Sequence, residues 1–228
     1  MLEDKLVSPA TFYGYIAFTA GVALACGLAL VWLRGGLTLD LMLAGTFFVL
    51  FYTWPLKHYG LGEPAVLLVW GPLMVGGTYY VLSGQWSSPV VGISLLFALG
   101  PTTVLFGKHI DKATADADKG VGTLPVRLGE RHARRVTQGL LLSHYLLAAA
   151  LFSVGWMQWP VLLLLLGARR GRIAWRVLNQ PKPLERPETY PDHIWPLWFS
   201  AQAFAHTRVF SAALMLAVGL DVVLGRLQ

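Results

Sequence analysis

Gly107-Lys-His-Ile-Asp-Lys-Ala-Thr-Ala-Asp-Ala-Asp-Lys-Gly-Val-Gly-Thr-Leu-Pro-Val-Arg-Leu-Gly129 is a polar stretch set between two long apolar runs, residues 89–106 and 137–156. Each run approaches the roughly 20 residues that a helix needs to cross a bilayer. Lipid offers no water to exposed backbone groups, so a spanning segment is a helix or a strand of a closed barrel. These runs lack the apolar/polar alternation of a barrel strand. They read as membrane helices, and the stretch from Gly107 to Gly129 as the connection between them. It carries Asp111, Asp116 and Asp118 among Lys108, Lys112 and Lys119. Carboxylate oxygens suit Mg²⁺ and neighbouring ammonium groups suit a phosphate, although a merely solvated, positively charged loop would carry similar charges.

Working outward, apolar runs occupy residues 11–33, 39–54, 64–82, 159–167 and 206–224. Arg34-Gly-Gly36 breaks the chain after the first, and Pro55 closes the second. The run from Trp159-Pro160 is short for a span, although proline suits a first helical turn. It continues as a helix to Asn179, where the proline-rich residues 180–187 stop it. The sum is about seven helices in an all-α integral membrane bundle, with residues 1–228 forming one transmembrane domain. A composition 55% hydrophobic and 13% charged is far from that of soluble domains.

The formal net charge is +6, and its placement says what it is for. Threading the helices alternately puts Lys5, Lys57 and the basic residues of 108–135 and 169–186 on one side, and Arg34 and Arg226 on the other. Only Arg208 falls within a span. That segregation follows the positive-inside rule and places both polar loops, residues 52–63 and 107–129, in the cytoplasm. The charge reflects topology, and no nucleic-acid partner is implied. Trp86, Trp156, Trp159 and Trp195 sit near span ends as interfacial anchors. Cys26, the single cysteine, lies inside an apolar run without a disulfide or metal-ligand partner and reads as a small core residue.

A second constellation, Tyr52-Thr-Trp-Pro-Leu-Lys-His-Tyr-Gly-Leu-Gly-Glu63, precedes a run ending Gly77-Thr-Tyr-Tyr-Val81. Taken alone, Tyr52, Lys57 and His58 fit an interfacial tyrosine and snorkelling cations, and Glu63 fits a helix-start carboxylate as well as it fits a catalytic group. Taken together, Asp116, Lys119-Gly120 and Thr123-Leu-Pro-Val-Arg-Leu-Gly129 closely resemble the second aspartate-rich motif of the UbiA family of membrane prenyltransferases. The Tyr52–Glu63 stretch resembles the connection found in members acting on naphthoate-type quinone precursors.

The resemblance implies a nine-helix fold of which these seven helices match the last seven, in a bacterial cytoplasmic membrane. It implies transfer of an isoprenyl group from an isoprenyl diphosphate to an aromatic acceptor, with membrane lipid around the site. Asp111 and Asp116 would hold Mg²⁺. Lys108, Lys112, Lys119 and Lys57 would contact the diphosphate, and Tyr52 would steady a phosphate or the acceptor. Three departures accompany it. The family's first motif, Asn-Asp-x-x-Asp-x-x-x-Asp, is absent, and Met1 falls just after its expected place, so the domain reads as truncated at its amino terminus. The alternative is then a non-catalytic protein that binds isoprenoid or quinone lipids. Lys112 stands where the usual spacing places the motif's first aspartate, and Gly122 where arginine is frequent. At about 100° per residue, a continuous helix would set Asp111 and Asp118 on one face and turn Asp116 away. Either the helix ends within the motif or Asp118 is the partner of Asp111. The distance to Thr123 favours Asp116.

Overall fold

The computed structural model describes residues 7–225; Lys5 and Arg226, which enter the charge pattern above, lie outside the described residues. Helix α1 (Pro9–Arg34) starts where the Ser8 hydroxyl accepts the Thr11 N–H, with Pro9 in the first turn, the capping chemistry expected there. After Gly35, α2 (Gly36–Phe51) runs back, and Pro55 does not close the rod as expected, since the chain stays wound through it to Tyr59. Trp54 takes an extended conformation (φ −144°, ψ 128°), which a residue before proline prefers. The chain then winds through a π turn, Tyr52–Leu56, and a 3₁₀ turn, Lys57–Tyr59.

The next rod is built from α3 (Gly62–Leu68), a π segment (Val69–Gly76) and α4 (Gly77–Ser83). Pro72 lies inside that π segment, where a changed hydrogen-bond register accommodates its missing N–H. There follow α5 (Ser88–Asp111), α6 (Ala113–Asp118), α7 (Leu124–Leu128) and α8 (Glu130–Ser153). A 3₁₀ segment (Trp159–Gly167) leads directly into α9 (Ala168–Leu178), and α10 (Phe199–Val223) closes the fold.

Among the described residues six rods are long and apolar enough to cross a membrane: Pro9–Arg34, Gly36–Tyr59, Gly62–Ser83, Ser88–Asp111, Glu130–Ser153 and Phe199–Val223. The remaining expected segment is the composite of the 3₁₀ stretch and α9. Nine residues at about 2.0 Å and eleven at about 1.5 Å give it a length of roughly 34 Å. That length is comparable with the ~30 Å hydrocarbon layer; Arg176 lies near its Leu178 end, and Arg169 and Arg170 about 12–14 Å from it. The all-α membrane bundle read from the sequence is the observed architecture.

Helix α5 is the axis. It packs against α3, the π segment, α8 and α10, while α10 also lies on the 3₁₀ stretch and α9. Leu96, Leu99, Leu151, Met157, Leu164 and Phe210 fill the centre, and a second cluster of Ile110, Ala133, Leu141, Leu178 and Phe199 fills the end near the polar loops. One expectation fails here. Cys26 is exposed, because α1 lies at the edge against α2 and buries none of its residues. Trp156, just past the end of α8, is partly buried against the central cluster, held beside Gly92 where a Cβ would come within 2.9 Å of its ring.

Candidate functional site

A cavity of about 760 Å³ opens between α2, the Gly62–Ser83 rod, α5 and α10. Its wall is almost wholly apolar, with Phe48, Val69, Phe97, Leu105 and Phe204 among the lining side chains. Tyr52 and Lys108 also line it, supplying a phenol and a cation. Tyr52 is half-buried at the start of the π turn and Lys108 is exposed one turn from the end of α5. An apolar pocket with a few convergent polar groups is the usual form of a small-molecule site.

The two polar loops touch. Arg127 donates from Nη2 to the His58 carbonyl and from Nε to the Gly122 carbonyl, both at 3.0 Å, and its guanidinium lies over the Tyr59 ring, 5.9 Å from the centroid. The backbones come close at this junction, since a Cβ on Gly122 would stand 2.6 Å from the His58 oxygen. Residues 52–63 and 107–129 therefore share one end of the bundle.

Asp111 ends α5, and Lys112 leaves helical geometry (φ −110°, ψ 8°) before α6 begins. The helix thus breaks within the motif, so wheel geometry does not relate Asp111 to Asp118. The Asp111 carboxylate faces the start of α10. It accepts the Phe199 N–H at 2.9 Å, the Ser200 N–H at 3.0 Å and the Ser200 hydroxyl at 2.7 Å. A carboxylate there satisfies orphan donors and meets the positive end of the helix. Gly107, one turn earlier, makes the approach possible: a Cβ would lie 2.7 Å from the Ser200 nitrogen. Lys182 closes the same corner, its ammonium donating to the Pro196 carbonyl at 2.6 Å and the Asp111 carbonyl at 3.4 Å, above the Trp195 ring. Tyr190 lies nearby with its hydroxyl on the Leu197 carbonyl. Burial, and then the negative charge of Asp111, hold its phenol above the usual tyrosine pKa.

Between α3 and α5 lies a pair that the sequence did not announce. His109 Nδ1 donates to Glu63 Oε1 at 2.6 Å, and both residues are almost completely buried. Glu63 Oε2 has no hydrogen-bond partner. Glu63 is in the first turn of α3, as its position before Pro64 suggested, but His109 carried no local signal. The pair sits beside pocket-lining neighbours, Ala65 and Val66 on one side and Lys108 on the other, and is within electrostatic reach of Tyr52.

The other expected site residues are distributed. Asp116 is partly buried, and its Oδ2 is buried without a partner, as is Oγ1 of Thr123 in the same connection. Oxygen donors of this kind fit Mg²⁺, which commonly takes only one or two carboxylates from the protein and the rest from phosphate and water. Among the described residues no three His, Cys, Asp or Glu side chains converge on one point. Asp118, Lys112 and Lys119 are exposed on and around α6, and Lys57 is half-buried beside Gly62. None of these four, nor Asp111 or Asp116, is in the cavity wall.

An apolar cavity and two docked polar loops, set in an all-α bundle of membrane-spanning length, define an integral membrane protein. The chain belongs to the UbiA prenyltransferase family, whose model matches residues 4–200. It is 35% identical over 100 residues to the 1,4-dihydroxy-2-naphthoate octaprenyltransferase of Haemophilus influenzae, covering 44% of this chain and 32% of that protein. The Escherichia coli protein of the same name is 33% identical over 100 residues, with the same coverage of 44% and 32%. A 2-carboxy-1,4-naphthoquinone phytyltransferase of Synechocystis is 28% identical over 110 residues, covering 48% of this chain and 36% of that protein. The matched stretch thus spans about a third of these relatives. No solved structure matches the chain.

Proposed function

We propose that the chain binds an isoprenyl diphosphate and transfers its isoprenyl group, with Mg²⁺, to an aromatic acceptor of the naphthoate type within the bacterial cytoplasmic membrane. The observation that carries this reading is the apolar cavity with Lys108 and Tyr52 in its wall. Its wall suits the hydrocarbon chain, and the Lys108 ammonium suits the diphosphate. Both polar loops lie on the cytoplasmic side, where the soluble diphosphate and acceptor arrive.

Prenyl transfer breaks the allylic carbon–oxygen bond, sends the electron pair to the diphosphate, forms a carbon–carbon bond to the ring and releases a ring proton. Lys108 stabilises the charge that grows on the departing diphosphate, an effect strongest away from water. Tyr52 donates its hydroxyl to the same group or to the acceptor. Asp116, with its unpartnered oxygen, would hold Mg²⁺, which would supply neutralisation of diphosphate charge. Asp111 serves by fixing α10 and, through it, Phe204 and Thr207 in the cavity wall. The Glu63–His109 pair locks α3 to α5 and so sets Tyr52 and Lys108 relative to each other. The apolar wall shields the allylic centre from hydrolysis. Lys57, Lys112 and Lys119 raise the positive potential at the mouth.

The test is an assay of the full chain in membranes, with labelled isoprenyl diphosphate and 1,4-dihydroxy-2-naphthoate, in Mg²⁺ or EDTA. Lys108→Gln and Asp116→Ala are each expected to lose on the order of a hundredfold in rate, and Asp118→Ala to keep most of it. Equal activity in all three variants would overturn the assignment. Specific diphosphate binding without turnover in the wild-type chain would support the isoprenoid-binding role in its place.

A further inference from the structure

We propose that a groove between α8 and α9, away from the cavity described above, binds one anionic phospholipid. The groove has a volume of about 210 Å³ and is lined by Leu141, Leu142, Tyr145, Gly171, Arg172 and Trp175. The two helices are antiparallel and pinned together at one end. Arg134 donates to the Leu178 carbonyl at 2.9 Å, and Gln138 donates to Asn179 Oδ1 at 2.7 Å and the Trp175 carbonyl at 3.3 Å. Beyond these pins the small residue Gly171 leaves the surface indented, because Tyr145 is drawn inwards to hydrogen-bond His206 at 3.0 Å.

Depth and charge select the occupant. Measured at ~1.5 Å per residue from the pin between Arg134 and Leu178, Trp175 lies about 4–5 Å along, Arg172 about 9 Å, Leu142 about 12 Å and Tyr145 about 16–17 Å. The groove therefore runs inward from the pinned end, with Arg172 nearer that end than Leu142 and Tyr145. Helix α9 contains four arginines and no acidic residue. Arg169, Arg170, Arg172 and Arg176 are all exposed, and among the described residues none of them forms a salt bridge. Exposed Arg131 and Arg135 of α8 add to the same surface. Of the α9 arginines, Arg172 is the one in the groove wall. A lipid phosphate on Arg172 with an acyl chain along Leu142 and Tyr145 satisfies both halves of the groove. A zwitterionic lipid leaves the arginine field uncompensated, since basic pockets between membrane helices favour anionic head groups.

Native mass spectrometry of the full chain released from detergent, with equal phosphatidylglycerol and phosphatidylcholine of identical acyl chains, tests this. One phosphatidylglycerol should be retained in preference to phosphatidylcholine. Arg172→Gln should cut that retention about fivefold, the effect of one basic side chain at an anionic surface, while Arg170→Gln, outside the groove, changes it little. Leu142→Trp fills the groove without touching charge and should also release the lipid, and melting curves of each variant establish that it is folded. Equal retention of the two lipids, equal losses from Arg170→Gln and Arg172→Gln, or full retention in folded Leu142→Trp would each overturn the proposal.

Discussion

Replacing Asp111 by alanine should destabilise the chain by about 2 kcal/mol, since lost helix-terminal capping costs about 1 kcal/mol and orphaned donors about 1–3 kcal/mol, not fully additively. The magnitude follows from three hydrogen bonds, two from backbone amides and one from the Ser200 hydroxyl, all aimed at one carboxylate. In a chain of this size the loss corresponds to a melting temperature lower by about 4–8 °C. Asp111→Asn keeps one acceptor oxygen and loses the charge, so it should fall between alanine and wild type. Thermal unfolding in detergent, followed by tryptophan fluorescence, measures both. A double-mutant cycle with Ser200→Ala isolates the hydroxyl contact, with an expected coupling of about 1.5–3 kcal/mol for a hydrogen bond to a charged group. If Asp111→Ala melts with the wild type and the cycle shows no coupling, the carboxylate is not holding α10. It would then be available as the metal ligand that the family resemblance implies.

Arg127→Lys keeps the charge but not the forked contacts to His58 and Gly122, so a lysine-specific protease should cut after Lys119 faster than in wild type. Unchanged cleavage would show that the loops stay docked without it. Glu63→Leu or His109→Phe alone leaves one member of a buried pair without its partner and should cost about 3–5 kcal/mol; the two substitutions together should recover part of it in the same melts. Because burial and then Asp111 raise the Tyr190 pKa above its unfolded value, its stabilising contribution is full below about pH 10. It is lost as pH rises through the folded value, so Tyr190→Phe should remove an alkaline component from the pH–stability curve. Single cysteines at Ser87 and Ala117 in a Cys26→Ala background should label from opposite sides of the membrane, and labelling from one side would refute the topology.

The helices were legible because lipid imposes a crude, local requirement on the sequence. The run 11–33 became Pro9–Arg34 and the short run after Trp159 continued as expected, while Pro55, expected to close its run, kinks a rod that goes on to Tyr59, and Pro72 is taken up in a π segment. The site was less legible. Asp111 and Asp116 stood out as metal ligands through a pattern within one stretch, yet the donors that engage Asp111 lie 88 and 89 residues away. Glu63 and His109 are separated by 46 residues and Arg127 and His58 by 69; neither pairing leaves a trace in spacing. The break within the motif, one of the two alternatives the sequence left open, falls at Lys112, directly after α5 ends at Asp111. Such a break depends on what α10 offers to the carboxylate, a tertiary fact.

The 3₁₀ winding of Trp159–Gly167 makes that rod a gauge of bilayer thickness. Rewinding its nine residues as α-helix would shorten it by about 4–5 Å, the difference between rises of about 2.0 and 1.5 Å per residue. Either Trp159 or the Leu178 end of α9 would then be drawn towards hydrocarbon by that distance, comparable with the few ångströms by which membranes differ. A thinner bilayer removes the tension that favours the drawn-out winding, and a thicker one reinforces it. Since α10 lies along this rod and also forms a wall of the cavity, lipid thickness has a mechanical route to the cavity's width.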